Sequence, residues 1–524
     1  MAACAPSTFS PSLFGAEVLS LQASLVTNYS ASVSSAFRFT QPSVELRNAT
    51  FCNVTVTYTH PGQNDNIAVE AWLPTADKWN ERLLAVGGGG WAAGRFFVSY
   101  ENMKGAVADG YATFTTDAGL DSSIFPTNWA LNSPGNVNMY NLKNLAWVSL
   151  NDEAIIGKSL IKSFYGRGPT YSYWNGCSQG GRQGLMLAQR FPTAYDGISA
   201  GAPALHWSES FTAALWPQQL MNSLGEYPYG CEIQAITAAA ISACDGLDGV
   251  LDGIIGEADL CLKQFDPFKV VGTTITCAEK SNSTVQISNT AAKVVNATWH
   301  GPVTAEGKKW WYGYNPGANL VDNNGLPGVA ATNCTAQDCV GSPNMLALPW
   351  LKLFVAAKPD LNFSNLTQRE FDDLMHSSNQ QYRSILDTDD PDLSEFRKAG
   401  GKLVSFHGLT DEFIPTKGSE QYYNAVGKAV PGIEEFYRYY QLPGYEHCFG
   451  GSSSPPTSLF SQLRAWVENG TVPGSTLVQI TNLNGTTQRR IVCPYPQKTQ
   501  FNASCGNVSN VDCWLCIRAT SLEH

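Results

Sequence analysis

The chain has 524 residues, a net charge of −11 and a pI near 5.2. A chain of this length can bury one large core and a second, smaller one. The acidic balance argues against nucleic acid as a partner. No run of about 18 apolar residues is present, which excludes a membrane-spanning helix and argues against a membrane partner.

The cysteines and the glycosylation sequons both indicate a secreted protein. Fourteen cysteines in such a chain favour an oxidising secretory route over the cytosol. A single N-x-S/T tripeptide is common by chance, so it is the number of these tripeptides that indicates glycosylation. They are at Asn28, Asn48, Asn53, Asn282, Asn296, Asn333, Asn362, Asn365, Asn469, Asn484, Asn502 and Asn507. We therefore predict an extracellular, disulfide-bonded glycoprotein.

The elements predicted before residue 178 alternate between strand and helix, which favours a mostly parallel sheet. In chain order they are a strand at 83–86, a helix at 97–109, a strand at 111–115, a long amphipathic helix at 141–165 and a strand at 171–175. A third helix is predicted at 180–190, directly before Phe191-Pro192.

Ser178 lies between the last of these strands and the helix that follows. It is the centre of Gly176-Cys177-Ser178-Gln179-Gly180, which has the G-x-S-x-G form of a nucleophile elbow. The glycines allow the strand and the helix to approach closely. On this short pattern alone, a glycine-rich turn with an incidental serine remains an alternative. The later part of the chain favours the elbow.

An acid and a base follow the serine in the order found in α/β-hydrolases. The apolar strand predicted at 402–406 runs into a loop that carries Asp411, and Glu412 is the less favoured acid. The aromatic strand predicted at 435–442 leads to His447. In acyl transfer Ser178 would attack the carbonyl, His447 would carry the proton and Asp411 would orient the imidazole.

Elimination supports His447 as the base. Beyond Asp411 the only other histidine is His524, in a terminal Leu522-Glu523-His524 that resembles an expression-tag remnant. His407 precedes the acid and is predicted to be a structural hydrogen-bonding residue at the end of its strand.

Two cysteines flank the proposed nucleophile and base. Cys177 precedes Ser178, and Cys448 follows His447. A disulfide between them would fix the nucleophile against its base.

The oxyanion of acyl transfer needs two backbone donors. The amide of Gln179, directly after the nucleophile, is predicted as the first. The second is expected from the four glycines that follow the strand at 83–86, at Gly89, Gly90 or Trp91. A flexible linker is the alternative for a glycine run, but an apolar strand directly before it argues against that interpretation.

These features together resemble the tannase and feruloyl esterase family of fungal secreted esterases, over nearly the whole chain. The resemblance is carried by Gly87–Gly90, Thr115–Gly119, the Cys177-Ser178 and His447-Cys448 pairs and an aspartate-rich loop at 244–257. It implies an α/β-hydrolase domain with an inserted lid, and phenolic ester substrates built on gallate or hydroxycinnamate.

Strand and helix stop alternating between about residues 205 and 396, in a stretch too long for a plain loop. We therefore predict an α/β-hydrolase catalytic domain from residues 1–204 and 396–524, and a lid from residues 205–395. Two aromatic segments of the lid, Trp299–Pro302 and Lys309–Tyr314, are suited to stacking on a phenolic ring. Most of these rings are nevertheless expected in the lid core.

The aspartate-rich loop offers hard oxygen ligands on a tightly turning backbone, as Ca²⁺ requires. By resemblance the ligands are the side chains of Asp245, Asp248 and Asp252 and the carbonyls of Val250 and Ile254. A set of Asp-Gly turns without an ion is the alternative, but three close carboxylates would repel one another. A structural calcium ion is therefore predicted.

The other cysteine pairings rest mainly on the resemblance, which implies Cys4 with Cys52 and Cys244 with Cys261. Cys513 and Cys516 have the spacing of a zinc ligand pair, but no second pair follows them, so disulfides are expected there.

The predicted function is hydrolysis of galloyl esters of tannins to gallic acid. A feruloyl esterase that releases hydroxycinnamic acids from plant cell walls is the alternative. A serine peptidase of the same fold and a polyphenol-binding protein without catalysis are more remote.

Overall fold

The computed structural model describes residues 3–323, 325–335, 337–482 and 485–518. The sequon at Asn484 and the terminal His524 lie outside these ranges. No helix within them is long and apolar enough to cross a membrane.

A nine-stranded sheet forms the centre of the catalytic domain. In chain order its strands are β1 (Glu17–Val33), β2 (Val44–Thr59), β3 (Ile67–Pro74), β4 (Arg82–Val86), β5 (Ala112–Thr116), β6 (Tyr171–Cys177), β7 (Gly197–Gly201), β8 (Lys402–Gly408) and β9 (Tyr437–Leu442). Across the sheet the order is β1-β2-β3-β5-β4-β6-β7-β8-β9. The strands from β4 to β9 are parallel, whereas β1, β2 and β3 pair antiparallel with their neighbours.

The predicted alternation of strand and helix is wrong for the first part of the chain. Strands β1, β2 and β3 follow one another with only a short 3₁₀ turn at Ser35–Phe37 between them. Strand β1 is largely exposed and lies at the sheet edge, while β2 alternates between buried and half-buried residues near its end. Antiparallel strands can be joined by short loops and need no crossover helix. The sheet is therefore mixed.

Helices lie on both faces of the parallel part of the sheet and in the stretch between β7 and β8. The longer ones are α1 (Phe97–Ala108), α2 (Ser149–Tyr165), α3 (Gln179–Arg190), α4 (Trp207–Ala213), α5 (Trp216–Leu224), α6 (Gly230–Cys244), α7 (Ala258–Gln264), α8 (Asn289–His300), α9 (Gln368–Leu386), α10 (Thr416–Ala429) and α11 (Leu459–Asn469), and the short ones are Met139–Lys143, Ala347–Pro349 and Ser394–Lys398. In β4, Leu83 and Ala85 pack with α2 and α3, whereas Leu84 and Val86 pack with α1 and α11. Side chains of a strand alternate between faces, so a strand covered on both is apolar throughout.

The helix predicted at 141–165 is interrupted by a π-helical turn at Asn144–Val148. The carbonyls of Leu145 and Ala146 in this turn accept hydrogen bonds from the Arg182 guanidinium, at 2.9 and 3.0 Å. Arg182 is fully buried, and burial lowers its pKa to about 9. A buried guanidinium needs acceptors, and the turn supplies carbonyls that a continuous α-helix would use internally.

The described residues between β7 and β8 add no strand to the central sheet. They form α4 to α9 and small hairpins, and their core contains Trp299 and Tyr314. Trp311 is also buried, whereas Trp310 and Tyr312 are half-buried. The expectation that most of these rings are core is confirmed.

The two-stranded hairpins lie outside the central sheet. They are Leu131–Ser133 with Asn136–Val137, Thr274–Cys277 with Ser283–Gln286, Asp322–Asn323 with Leu326–Pro327, Thr332–Cys334 with Cys339–Gly341, Thr476–Thr481 with Thr487–Val492, and Gln497–Phe501 with Trp514–Arg518.

All fourteen cysteines are in disulfides. The pairs are Cys4–Cys52, Cys177–Cys448, Cys231–Cys277, Cys244–Cys261, Cys334–Cys339, Cys493–Cys516 and Cys505–Cys513. The three predicted pairs are among them. Cys513 and Cys516 each bond a different partner, so they form no zinc ligand pair.

Candidate active site

Ser178 occupies a sharp turn between β6 and α3. Its backbone angles are φ 61° and ψ −121°, a region that is costly for a residue other than glycine. A Cβ atom on Gly176 would lie 2.6 Å from the backbone of Gly180, so the turn requires glycine there. The Ser178 amide donates to Gly201 O of the neighbouring β7 at 2.9 Å. The turn has the geometry of a nucleophile elbow.

Asp411 and His447 form a hydrogen-bonded pair beyond the ends of β8 and β9. His447 Nδ1 lies 2.8 Å from Asp411 Oδ2, and Asp411 Oδ1 accepts from the amides of Phe413 and Ile414 at 2.8 and 2.7 Å. The Thr410 amide and hydroxyl donate to Tyr445 O and tie the two loops together. The acid is buried and held in one orientation.

The electrostatics of the pair favour an ionised Asp411. Burial acts to raise the pKa of Asp411, but the charge of His447 and hydrogen bonds from two histidines lower it below its ordinary value. Burial opposes protonation of His447, but the charge of Asp411 raises the pKa of His447 above its ordinary value. The pair therefore stabilises an imidazolium, which is what a proton-accepting base becomes.

His407 is the second histidine on Asp411. His407 Nε2 lies 2.9 Å from Asp411 Oδ2, and His407 Nδ1 lies 2.8 Å from Ser419 Oγ. The prediction of a structural hydrogen-bonding residue is confirmed, but its contact with the acid was not foreseen. Because Asp411 is an acceptor, Nε2 carries the proton and Nδ1 accepts from the Ser419 hydroxyl.

Glu412 lies beside the pair and bonds the backbone of His447. Its Oε2 accepts from the backbone amide of His447 at 3.0 Å. Burial and the neighbouring charge of Asp411 raise the pKa of Glu412 to about 8. A carboxyl group with this pKa is mostly neutral at pH 7, which makes Glu412 a poor electrostatic partner for an imidazolium.

The Cys177–Cys448 disulfide joins the elbow to the histidine loop across 271 residues, with a Cα–Cα distance of 5.9 Å. The bond brings Ser178 and His447, each adjacent to one of its cysteines, to the same end of the sheet.

Replacing Cys177 and Cys448 together by Ala is expected to lower kcat by about 10²-fold, because small misplacements of reacting groups are costly. Far-ultraviolet circular dichroism should show little loss of secondary structure. The matched control is the Cys231→Ala/Cys277→Ala variant, which loses a lid disulfide away from the triad loops. Wild-type kcat in the Cys177/Cys448 variant would reject a positioning role.

The glycine loop after β4 lies against the start of α3. Gln183, fully buried in α3, accepts from the Gly88 amide at 2.9 Å and donates to Ala93 O at 2.8 Å. A Cβ on Gly180 would lie 2.9 Å from Gly88 O. The loop is therefore held next to Ser178, and Gln183 is a supporting residue that the sequence did not reveal.

The three candidate donors of this loop differ in their hydrogen bonds. The Gly89 amide donates to Ala92 O at 3.1 Å, and the Trp91 amide donates to Ile124 O at 3.2 Å. Within the part of the chain that the structure describes, the Gly90 and Gln179 amides donate to no acceptor. Trp91 is instead a core residue, whose indole donates to Leu346 O in the lid.

Lid residues contact the acid loop. The Tyr314 hydroxyl donates to Phe413 O at 3.1 Å, and Asn315 Nδ2 donates to Leu409 O at 3.0 Å. Phe413 is half-buried, and the centroid of its ring lies 5.3 Å from the centroid of the His447 ring. This places an aromatic surface beside His447 at the junction of the lid and the catalytic domain.

The aspartate-rich loop is closed by the Cys244–Cys261 disulfide. Asp245 Oδ1 accepts from the amides of three loop residues, and Arg490 donates to Asp248 Oδ2 at 3.0 Å and to Asp252 Oδ2 at 3.4 Å. Arg490 thus supplies part of the positive charge that the sequence argument assigned to a metal alone. Burial nevertheless raises the pKa of Asp252 to about 6, although the guanidinium acts against it.

The same loop carries further oxygen atoms of the kind that hard cations bind. The carbonyls of Val250 and Ile254, both buried residues, accept no hydrogen bond from the described part of the chain. Together with the carboxylates they form an all-oxygen donor set, which is the chemistry that Ca²⁺ prefers.

Comparison with known proteins agrees with this architecture. A sequence model described as tannase and feruloyl esterase matches residues 52–517. The chain is 36% identical to a probable feruloyl esterase of Arthroderma benhamiae, covering 92% of this chain and 89% of that protein. It is 28% identical to a tannase of Aspergillus oryzae, covering 88% and 84%. The solved structure of a tannin acyl hydrolase from Aspergillus niger superposes with a TM-score of 0.85 at 28% identity, covering 98% and 94%.

The mixed sheet, the elbow and the large insertion define an enzyme of the α/β-hydrolase fold with a lid. The chain belongs to the tannase and feruloyl esterase family. It is a carboxylic ester hydrolase.

Proposed function

We propose that this protein hydrolyses galloyl esters through a Ser178-His447-Asp411 triad. The observation that carries the proposal is the buried Asp411–His447 hydrogen bond. The Cys177–Cys448 disulfide, whose cysteines are adjacent to Ser178 and to His447, links this hydrogen bond to the elbow. Three catalytic groups beyond the ends of β6, β8 and β9 serve acyl transfer.

In the acylation step Ser178 Oγ attacks the ester carbonyl carbon and His447 Nε2 takes the hydroxyl proton. The C–O bond to the alcohol breaks as His447 returns the proton to that oxygen. In deacylation a water molecule attacks the acyl-enzyme, His447 takes its proton, and Ser178 leaves with that proton as the free acid is released. Asp411 remains ionised and holds the imidazole tautomer throughout.

The oxyanion that forms in each step is assigned to two backbone donors. We infer the amides of Gln179 and Gly90, because neither donates elsewhere within the described residues. The Gln179 amide also begins α3, where the helix dipole favours negative charge.

The substrate class is proposed from the surroundings of the triad and from the relatives. The Phe413 ring beside His447 suits a planar aromatic acyl group. The match to a structure named tannin acyl hydrolase supports a galloyl ester. The 36% identity to a probable feruloyl esterase favours the second candidate, a feruloyl ester with its longer propenoyl chain.

Rates on methyl gallate and methyl ferulate distinguish the two. We expect kcat/KM to be at least about tenfold higher for methyl gallate, because an acyl pocket shaped for one chain length discriminates by this order. Ser178→Ala serves as the blank, and the matching amides test for peptidase activity. The opposite preference would assign a feruloyl esterase. Ester hydrolysis that is equal in the blank would reject the triad itself.

Two further properties are proposed. The Asp245–Ile254 loop would bind a structural Ca²⁺ through the side chains of Asp245, Asp248 and Asp252 and the carbonyls of Val250 and Ile254. Secretion as a glycoprotein is supported by the seven disulfides and by nine exposed sequon asparagines among the eleven described. Asn53 and Asn296 are half-buried, and the Asn53 side chain donates to Glu70.

A further inference from the structure

A cluster of one histidine and three carboxylates, buried or half-buried, lies where the chain enters and leaves the lid. His206 and Glu209 are at the start of α4, and Asp387 and Asp389 directly follow α9. Neither the proposed triad nor the calcium loop uses these residues. They are close in space although about 180 positions separate them in the sequence.

The histidine of this cluster has no hydrogen-bond partner. The His206 side chain is 9% exposed, and neither of its ring nitrogens is hydrogen-bonded within the described residues. His206 Nδ1 lies 3.5 Å from Glu209 Oε2 and 3.6 Å from Asp389 Oδ2. Protein hydrogen bonds from nitrogen are about 2.7–3.2 Å, so both contacts are too long. A buried imidazole whose nitrogens make no hydrogen bond is costly, and its position among carboxylates points to a ligand.

The distances suit a metal ion. The ligand atoms of His206, Glu209 and Asp387 all lie within 4.8 Å of one another. Two ligands of a tetrahedral zinc ion, each about 2.0–2.2 Å from the metal, are about 3.3–3.6 Å apart. The contact from His206 to Glu209 falls in this range. His206 also has φ 50°, a left-handed conformation that costs energy in a residue other than glycine.

Neutral neighbouring groups hold two of the carboxylates, Asp387 and Glu209, by hydrogen bonds. The Ser208 amide and hydroxyl donate to Asp387 at 2.7 Å each, and Asn379 donates to Glu209 Oε1 at 3.0 Å.

Among the described residues, one carboxylate of the cluster is paired with an arginine. Arg383 pairs with Asp389 at 2.7 Å. No Lys or Arg of the described residues forms an ion pair with Glu209 or Asp387, and a divalent ion would bind both carboxylates.

We propose that His206, Glu209 and Asp387 bind a divalent transition-metal ion that joins the two ends of the lid. A nitrogen ligand with carboxylates favours Zn²⁺ over Ca²⁺, which prefers oxygen alone. A surface cavity of about 480 Å³, lined by Asn379, Arg383, Asp387 and others, gives access to the cluster. The ion stabilises the folded lid, since its ligands come together only on folding.

Zinc titration calorimetry tests this proposal, on the full chain freed of metal by a chelator and then saturated with Ca²⁺. We expect one Zn²⁺ per wild-type chain, and binding at least about 10²-fold weaker in His206→Ala and in Glu209→Gln, because each loses a direct ligand. His376→Ala is the matched control, since His376 is an exposed histidine of α9. It should bind Zn²⁺ as the wild type does.

Co²⁺ in place of Zn²⁺ provides a spectroscopic readout. The visible absorption of Co²⁺ bound to nitrogen and oxygen ligands should appear in the wild type and in His376→Ala, and should be absent from Glu209→Gln. Absence of Zn²⁺ binding by the wild type, or equal affinity in the His206 and Glu209 variants, overturns the proposal. Glu209→Gln keeps the side-chain volume, so it gives the answer even if His206→Ala does not fold.

Discussion

Replacing Ser178 by Ala lowers kcat for ester hydrolysis by about 10⁶-fold, the order seen when a triad nucleophile is removed. The loss is expected because no other hydroxyl occupies the elbow between β6 and α3. Stopped assays on the preferred methyl ester, with long incubations, measure the residual rate.

The Ser178→Ala variant should fold normally. Alanine retains the Cβ atom, so the strain at φ 61° is unchanged, and the backbone bonds to Gly201 and Arg182 remain. The melting temperature should therefore stay within a few degrees of the wild type. Ser461→Ala, at an exposed position of α11, is the matched control. A folded Ser178→Ala variant with wild-type turnover would remove Ser178 from the mechanism.

Asp411→Asn is expected to lower kcat by about 10⁴-fold. The carboxylate accepts from both His447 Nδ1 and His407 Nε2. An asparagine amide group at Oδ2 can only donate, so it would force the opposite tautomer on His447 or turn away from it. The pH profile of kcat should also change, because Asp411 raises the pKa of His447.

Glu412→Gln is the matched control for Asp411→Asn. The Glu412 carboxyl is mostly neutral at pH 7, and glutamine can still accept from the His447 amide through its oxygen. We expect a change of less than about tenfold in kcat, since a neutral hydrogen bond is retained. A larger loss in Glu412→Gln than in Asp411→Asn would make Glu412 the acid of the triad.

The parallel half of the fold could be predicted, and the antiparallel edge could not. Strand β4 is a short apolar run before glycines and β6 is an aromatic-rich segment before a helical pattern, and such local patterns identify buried strands. Strand β1 is mostly exposed and mixes apolar with polar residues, so it lacks the signal of a buried strand. Its place at the edge follows from pairing with β2, which is a long-range contact.

The candidate site could likewise be predicted only in part from the sequence. Ser178 and His447 stand out because each is adjacent to a cysteine and follows a strand-like segment. Arg182 and Gln183 lie in the same helical stretch and look like ordinary polar helix residues. Their importance comes from burial against the π turn and the glycine loop, which lie 36 or more positions earlier in the chain.

The amino-acid order thus fixes the parts of the molecule that depend on neighbours along the chain: the elbow around Ser178, the succession of nucleophile, acid and base, and the loop with three aspartates. Folding in three dimensions selects the partners of buried polar groups, among them Arg490 at the aspartate loop and the carboxylates around His206. The reason is physical. Backbone conformation responds to a few adjacent residues, whereas a buried charge or imidazole must be satisfied by whichever distant segments close packing brings to it.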